Sequence, residues 1–311
     1  MKNTINTCLI GLGRIGLGKN INYQNSHYFN IKNNKNFELI SVIDKNKNLK
    51  KKIPNSIIFD EKLNFKNLNN VDLFVIASPN DTHYYYLKKI LSNCKQNKII
   101  FCEKPICNTS SEYRDILNLS KINNTSIYVN HTRRFDKKFI FLKKFIKKQK
   151  KNFQYGRVYY YKSWLHNGVH VLDLINFLFD ETFKVVKKKI SFKEFKKLGY
   201  NYVLKSKKNK IVDAICVNDN YFQLFELDFL FDKYRLTLEN FADNIYYQKI
   251  YKNDFSEKIL KEKIKLFDNS INHNPLKEAY EQINKKFKNK KNSMENVNIN
   301  KIKDVMLEAF K

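Results

Sequence analysis

Short apolar runs alternate with helix-period stretches through the first 130 positions. TCLIG (7–11), FELISVID (37–44), SIIF (56–59), VDLFVIAS (71–78), KIIFCEKP (98–105) and SIYVN (126–130) read as six strands. VDLFVIAS is apolar nearly throughout, as a parallel strand covered on both faces is. Between the strands the pattern predicts a helix over about 82–94 and another opening at Thr109-Ser110-Ser111-Glu112, a capping-box spacing. Strands and helices in alternation predict a parallel α/β sheet.

After Asn130 the pattern changes. A Lys/Phe-rich helix is predicted over about 136–150, then an aromatic strand, RVYYYKSW, after Gly156, then a mostly apolar helix beginning in WLHNGVHVLD (164–173). YFQLFELDFLF (221–231) and YRLTLENF (234–241) alternate as neighbouring antiparallel strands do. Asn274-Pro275 signals a helix start, with a stripe of Leu276, Ala279, Tyr280, Ile283 and Phe287. A terminal helix carries Ile302, Val305, Met306, Ala309 and Phe310, and the polar segment 288–298 reads as a loop. The expected organisation is a nucleotide-type α/β domain over 1–124 and an α+β domain over 125–311. The C-terminal helices are expected to pack back on the first domain.

Charge and cysteine content narrow the partners. The 311 residues carry a net charge of +29, yet arginine occurs only at positions 14, 114, 133, 134, 157 and 235. Lysine is spread along the chain beside abundant Asn and Ile, so the charge reads as compositional bias, and no specific nucleic acid is expected. A nucleic-acid-binding protein remains the minor alternative that the charge alone supports. The five cysteines include no CxxC pair, which points to a reducing, cytoplasmic setting rather than disulfides or structural zinc. No apolar run approaches the roughly 18–20 residues of a membrane span, and no membrane partner is expected.

GLGRIG (11–16) follows the first strand directly. Gly11 allows a tight turn, Gly13 lets the backbone approach a pyrophosphate, and Gly16 allows close helix–strand contact, with Arg14 and Ile15 on the turn between them. A helix is expected to start here with its N-terminus facing the phosphates. Asp44, ending the next strand, would accept hydrogen bonds from ribose hydroxyls and repel a 2′-phosphate. That favours NAD, while Lys45 and Lys47 nearby keep NADP open. Asp44 lies farther downstream than the usual roughly 20 residues, and LGKNINYQNS (17–26) looks like inserted length before the first helix resumes at HYFNI.

GLGRIG, VIDKN, ASPNDTH (77–83), CEKP (102–105), VNHTRRF (129–135) and GVHVLD (168–173) occur in the order seen in the Gfo/Idh/MocA oxidoreductases, which the chain resembles over roughly residues 5–180. The resemblance implies a Rossmann domain followed by an α+β domain with a large open, mainly antiparallel sheet. It implies hydride transfer between a nicotinamide and a carbon of a sugar, cyclitol or sugar nucleotide. By that analogy Ala77, Ser78, Pro79, Asn80 and His83 line the cofactor, Glu103 and Lys104 face nicotinamide and substrate, and a cis peptide precedes Pro105. Lys104, at the end of a central strand, stands where α/β sheets place ligands, and its ammonium would orient an alcohol and lower its pKa.

The family's histidine motif is commonly D-x-G-x-H, and here His166 stands four before His170 in place of the aspartate. His170 is expected to bind or deprotonate a substrate hydroxyl. His166 either replaces the aspartate as base or is a spectator. Asp173 either orients His170 or caps the helix. Arg133 and Arg134 suit a substrate phosphate or carboxylate, or an interdomain ion pair, with adjacent residues pointing different ways. His166 and His170 lack the Glu of H-E-x-x-H and a third ligand, so no metal is expected. The missing aspartate also supports an alternative, a catalytically silent NAD(H)-binding regulator. A homo-oligomer is expected from the open sheet face.

Overall fold

The six apolar runs of the first half form strands and lie side by side. A computed structural model of the chain describes residues 4–94, 97–149, 152–194, 197–267 and 274–311. In chain order the first elements are β1 (Ile5–Ile10), α1 (His27–Lys32), β2 (Phe37–Ile43), β3 (Ile58–Asp60), β4 (Leu73–Ile76), α2 (Asn80–Asn93), β5 (Ile99–Cys102), α3 (Ser110–Ile122) and β6 (Ser126–Val129). Then come α4 (Lys137–Gln149), β7 (Phe153–Tyr161), α5 (Val169–Phe179), β8 (Phe183–Glu194), β9 (Lys197–Ser206) and β10 (Ile211–Val217). The last are β11 (Glu226–Phe231), β12 (Tyr234–Glu239), β13 (Asn244–Lys252), β14 (Lys258–Leu260), β15 (Ile264–Lys265), α6 (Pro275–Phe287) and α7 (Lys303–Ala309). The chain divides into two compact units, one running to Asp136 and including Asn274–Lys303, the other comprising Lys137–His273 and Asp304–Lys311.

The first unit is built on an all-parallel sheet of order β3-β2-β1-β4-β5-β6. Every residue of β4 and β5 is buried, which is why those runs carry no polar alternation. The strand order reverses between β1 and β4, the point where open α/β sheets form a ligand crevice. β6 pairs with β5 from Ser126 to Val129, so the sheet continues past the expected boundary at 124/125 and the chain leaves this unit only after Asp136. α3 opens on a complete capping box between Thr109 and Glu112. α6 starts at Asn274, whose side chain accepts from the amides of Leu276 and Lys277. Its Leu276, Ala279, Tyr280 and Ile283 join the same core as Leu9, Val75 and Phe101. The segment 288–298, expected to be a polar loop, contains a 3-10 turn at Met294–Val297 whose two apolar residues are fully buried.

The helix expected directly after the glycine motif is broken. A single turn forms, with the Leu17 amide donating to the Gly13 carbonyl, and the chain then leaves the helix until α1 begins at His27. The amides of His27 and Tyr28 donate to the carbonyls of Ile15 and Gly16 at 2.9 and 2.8 Å. In an uninterrupted helix those carbonyls would take the amides of residues 19 and 20. His27 therefore stands where residue 19 would, and residues 19–26 loop out of a helix that closes again behind them. Without those eight residues, Asp44 would lie about 20 positions beyond Gly16, the usual distance.

The second unit holds a nine-stranded sheet of order β14-β13-β12-β11-β7-β10-β9-β8, with β15 also pairing β13. Only the β7–β10 pair is parallel, so the sheet is mixed and mostly antiparallel. β11 begins at Glu226, later than the pattern predicts, because the Tyr221 amide turns back onto Asn218 and leaves Tyr221 and Phe222 exposed. β8 lies at the sheet edge and carries Lys184, Lys187, Lys188, Lys189 and Lys193.

WLHNG (164–168) forms one π-helical turn that runs straight into α5. The Trp164 ring stacks on Tyr202 with centroids 4.1 Å apart, and its Nε1 donates to the Glu308 carbonyl. Gly168 is helical, so its role is spatial: a Cβ there would lie 2.0 Å from Trp164 Cε3. Gly168→Ala is therefore expected to push the indole off Tyr202 at a loss of about 1–3 kcal/mol. Denaturant unfolding measures the loss, and fluorescence of Trp164, the chain's one tryptophan, reports the displacement. An unchanged midpoint with unchanged emission would refute this packing.

Candidate active site

The crevice at the β1–β4 switch is made by two backbones in close approach. Gly11 has φ +91°, its amide donates to the Ile43 carbonyl, and a Cβ on it would lie 2.5 Å from the Ser78 amide nitrogen. Gly16 closes the turn from the other side, where a Cβ would collide with the Gly11 carbonyl. Around Gly13 a Cβ would meet nothing within 4 Å, so the outer face of the turn is bare, as close approach of a pyrophosphate requires. Arg14 and Ile15 are exposed on the same turn. Asp44 is half-buried: its Oδ2 accepts from the Leu12 amide at 2.7 Å and its Oδ1 from the Asn46 amide at 2.8 Å. Each oxygen keeps a further lone pair, so the carboxylate can take a ribose hydroxyl as well as brace the turn. The turn and Asp44 together fit a dinucleotide.

Beyond β4, Ala77 is buried and bonded to the Ile10 carbonyl, and Pro79 precedes Asn80, the first residue of α2. Ser78 Oγ accepts from Thr82. His83 is fully buried, with Nδ1 2.8 Å from the Pro105 carbonyl and Nε2 2.8 Å from the Ser78 carbonyl. It thus ties the loop after β4 to the loop after β5, and both ring nitrogens are occupied by that tie. The peptide between Lys104 and Pro105 is cis. Glu103, its side chain 13% exposed, receives hydrogen bonds on Oε1 from the His27 ring at 3.0 Å and from Asn130 Nδ2 at 2.6 Å. Burial opposes its charge, but the His27 bond, the Asn130 bond and the Lys104 ammonium outweigh it, and the carboxyl titrates below the ordinary carboxylate range.

The remaining expected residues fall at two places. Arg133 and Arg134 sit half-buried on a 3-10 turn after β6, with Arg134 Nη1 donating to the Asn296 carbonyl at 2.8 Å. In the second unit His166 and His170 are half-buried, the first on the π turn and the second in the opening turn of α5. The His166 amide donates to Ser163 Oγ. Asp173 is buried one turn further along α5, inside the helix rather than at its start.

Comparison with known proteins bears on the first unit. Residues 5–131 match the model of the oxidoreductase family with an NAD-binding Rossmann fold, GFO_IDH_MocA. Over those residues, the nucleotide-binding part, the chain is similar to the Gfo/Idh/MocA family. A 105-residue stretch is 34% identical to an uncharacterized oxidoreductase of Escherichia coli, covering 34% of this chain and 29% of that protein. The fold of the whole chain is shared more widely. A dehydrogenase from Clostridium difficile superposes with TM-score 0.71 at 20% identity, over 98% of this chain and 97% of that one. UDP-N-acetylglucosamine 3-dehydrogenase from Acidithiobacillus ferrooxidans superposes with TM-score 0.70 at 12% identity, over 98% and 95%.

Three residues at the Gfo/Idh/MocA motif were not singled out from the sequence: His27, Asn130 and Tyr280. Asn130 lies inside VNHTRRF, and only its bond to Glu103 distinguishes it. His27 becomes recognisable once residues 19–26 are seen to loop out, since it then falls three positions after Gly16. Tyr280 is hidden in an apolar stripe, where periodicity carries no information about a hydroxyl.

The low pKa of Glu103 has a stability consequence. A carboxyl whose folded-state pKa lies below its unfolded value stabilises the fold above the unfolded value and loses that contribution as pH falls through the folded value. Glu103→Gln is therefore expected to cost about 1.5–3 kcal/mol near neutral pH. The difference from wild type should close as pH drops below about 4.5, the ordinary glutamate value. Urea unfolding across that range measures it, and a difference independent of pH would contradict an ionised Glu103.

Proposed function

We propose that the protein is an NAD-dependent oxidoreductase that moves a hydride to or from a hydroxyl-bearing carbon of a sugar, cyclitol or sugar nucleotide. The observation that carries the reading is the arrangement at the ends of three adjacent strands: the bare Gly13 turn after β1, the loop Ala77–Asn80 after β4, and Glu103-Lys104 after β5. A nicotinamide bound there supplies the hydride acceptor or donor. The chain's residues supply the rest. Gly11, Gly13 and Gly16 let backbone amides approach the pyrophosphate. Asp44 accepts from the adenosine ribose and disfavours a 2′-phosphate, which supports NAD over NADP.

In the substrate-side assignment, the Lys104 ammonium orients the reacting hydroxyl and stabilises its oxygen as the proton leaves. His170 binds or deprotonates a hydroxyl, with His166 as the second imidazole where the family commonly carries an aspartate. Asp173, buried beyond them, acts on His170 rather than on substrate. Arg133 and Arg134 are the candidates for an acidic group of the substrate, with the guanidinium of Arg134 also donating to the Asn296 carbonyl. The fold shared with a UDP-N-acetylglucosamine 3-dehydrogenase makes sugar nucleotides the first substrates to test. His166 in place of an aspartate also favours a second reading, an NAD(H)-binding regulator without turnover.

A panel of sugar nucleotides, hexoses and cyclitols followed by reduced-nicotinamide absorbance separates the two. At least one is expected to turn over with NAD in preference to NADP. Lys104→Ala should lower kcat by at least about 10²-fold while nicotinamide affinity stays within a few-fold. Tight NADH binding with no turnover across the panel would instead establish the regulator.

A further inference from the structure

Behind Glu103-Lys104 runs a chain of buried hydrogen bonds that the steps above do not use. Tyr280 on α6 and His27 at the start of α1 are both fully buried. The Tyr280 hydroxyl lies 2.8 Å from His27 Nδ1, and His27 Nε2 lies 3.0 Å from Glu103 Oε1. Asn130 Nδ2 donates to that same oxygen. The imidazole meets Phe101 and Tyr280 edge-on, at 5.8 and 5.9 Å between centroids, which fixes its plane.

The direction of each proton follows from the partners. An ionised carboxylate only accepts, so the hydrogen between His27 and Glu103 is on Nε2. Burial holds the Tyr280 phenol well above its ordinary pKa and so keeps its O–H. On a neutral ring with its hydrogen on Nε2, that O–H donates to Nδ1. A neutral imidazole with one donor and one acceptor nitrogen satisfies both bonds at once, whereas an imidazolium would leave the phenol hydrogen without this acceptor.

We propose that His27 is a positioning residue of the hydride-transfer site: its Nε2–H, on a ring held from behind by the Tyr280 hydroxyl at Nδ1, fixes the Glu103 carboxylate together with Asn130, and with it the backbone that presents Lys104. The proposal rests on the role given to Lys104 above. It makes α6, a C-terminal helix that covers the core, part of the machinery that aims the lysine. It also gives the looped-out segment a constraint, since the helix has to close behind it with His27 in register.

Two-bond ¹⁵N–¹H spectra of ¹⁵N-histidine-labelled protein test the relay without any substrate. The chain has six histidines, and His27→Gln identifies the signal. In the wild type His27 is expected as a neutral ring with hydrogen on Nε2. Tyr280→Phe should keep the hydrogen on Nε2, where Glu103 holds it, while the Nδ1 resonance moves as that nitrogen loses its hydrogen-bond donor. With a turnover substrate in hand, the same variant should lose about tenfold in kcat with little change in KM or nicotinamide affinity. His27→Gln, whose amide can still donate to Glu103, should keep more kcat than His27→Leu. A wild-type His27 carrying hydrogen on Nδ1, an unmoved Nδ1 resonance in Tyr280→Phe, or equal kcat in His27→Gln and His27→Leu would each overturn the relay. Absence of turnover in the wild type would count against the enzymatic reading alone, because the spectra report the tautomer independently of it.

Discussion

Two backbone hydrogen bonds, from His27 and Tyr28 to Ile15 and Gly16, carry the arrangement of the first unit. They close a helix across a gap in the chain, and the helix is what brings the His27 ring to Glu103. Without that closure the glycine turn would be followed by ten residues of irregular chain and six of helix too short to form alone. With it, the turn, the helix and the strand after it behave as one βαβ unit. The six residues of α1 are held by burial of Tyr28 and Ile31 in the shared core rather than by helix propensity.

Much of this was legible in the sequence because the signals were local and redundant. β4 and β5 announced themselves by unbroken apolar runs, and α3 and α6 by their caps. GLGRIG and EKP, by their order, pointed to the Rossmann fold. What was not legible depended on contacts between distant positions. No periodicity says that Tyr280 faces a histidine 253 residues earlier, or that His83 bridges two carbonyls. The boundary between units was misplaced because β6 belongs to its sheet through pairing with β5, which a break in sequence pattern does not register. Met294 and Val297 were outvoted by the asparagines and lysines around them, although burial is decided by each side chain's own surroundings.

The second unit shows a glycine whose purpose reads differently in three dimensions. In sequence Gly168 looks like a helix boundary between two histidines. In the structure it is helical, and its missing Cβ is the room that the Trp164 indole occupies. The π turn adds one residue to a helical revolution there. His166 is thus presented on a widened turn and His170 on a regular one, so the two rings are held by different backbone geometries despite their simple spacing. Asp173, deep within α5, is tied to this helix by burial and cannot serve as its cap.

The lysines of β8 bear on colloidal behaviour. An edge strand offers a free row of amides and carbonyls to any extended chain that comes alongside. Here the Val185 amide is already taken by the Glu308 carboxylate, and Lys188 is drawn over the Tyr200 ring. A second copy of the same edge, brought antiparallel, would set one row of ammonium groups against another. The repulsion makes the open end of a nine-stranded sheet a poor template for its own kind, and a compositional bias that tells little about partners thereby acts as protection against stacking of the chain into fibrils.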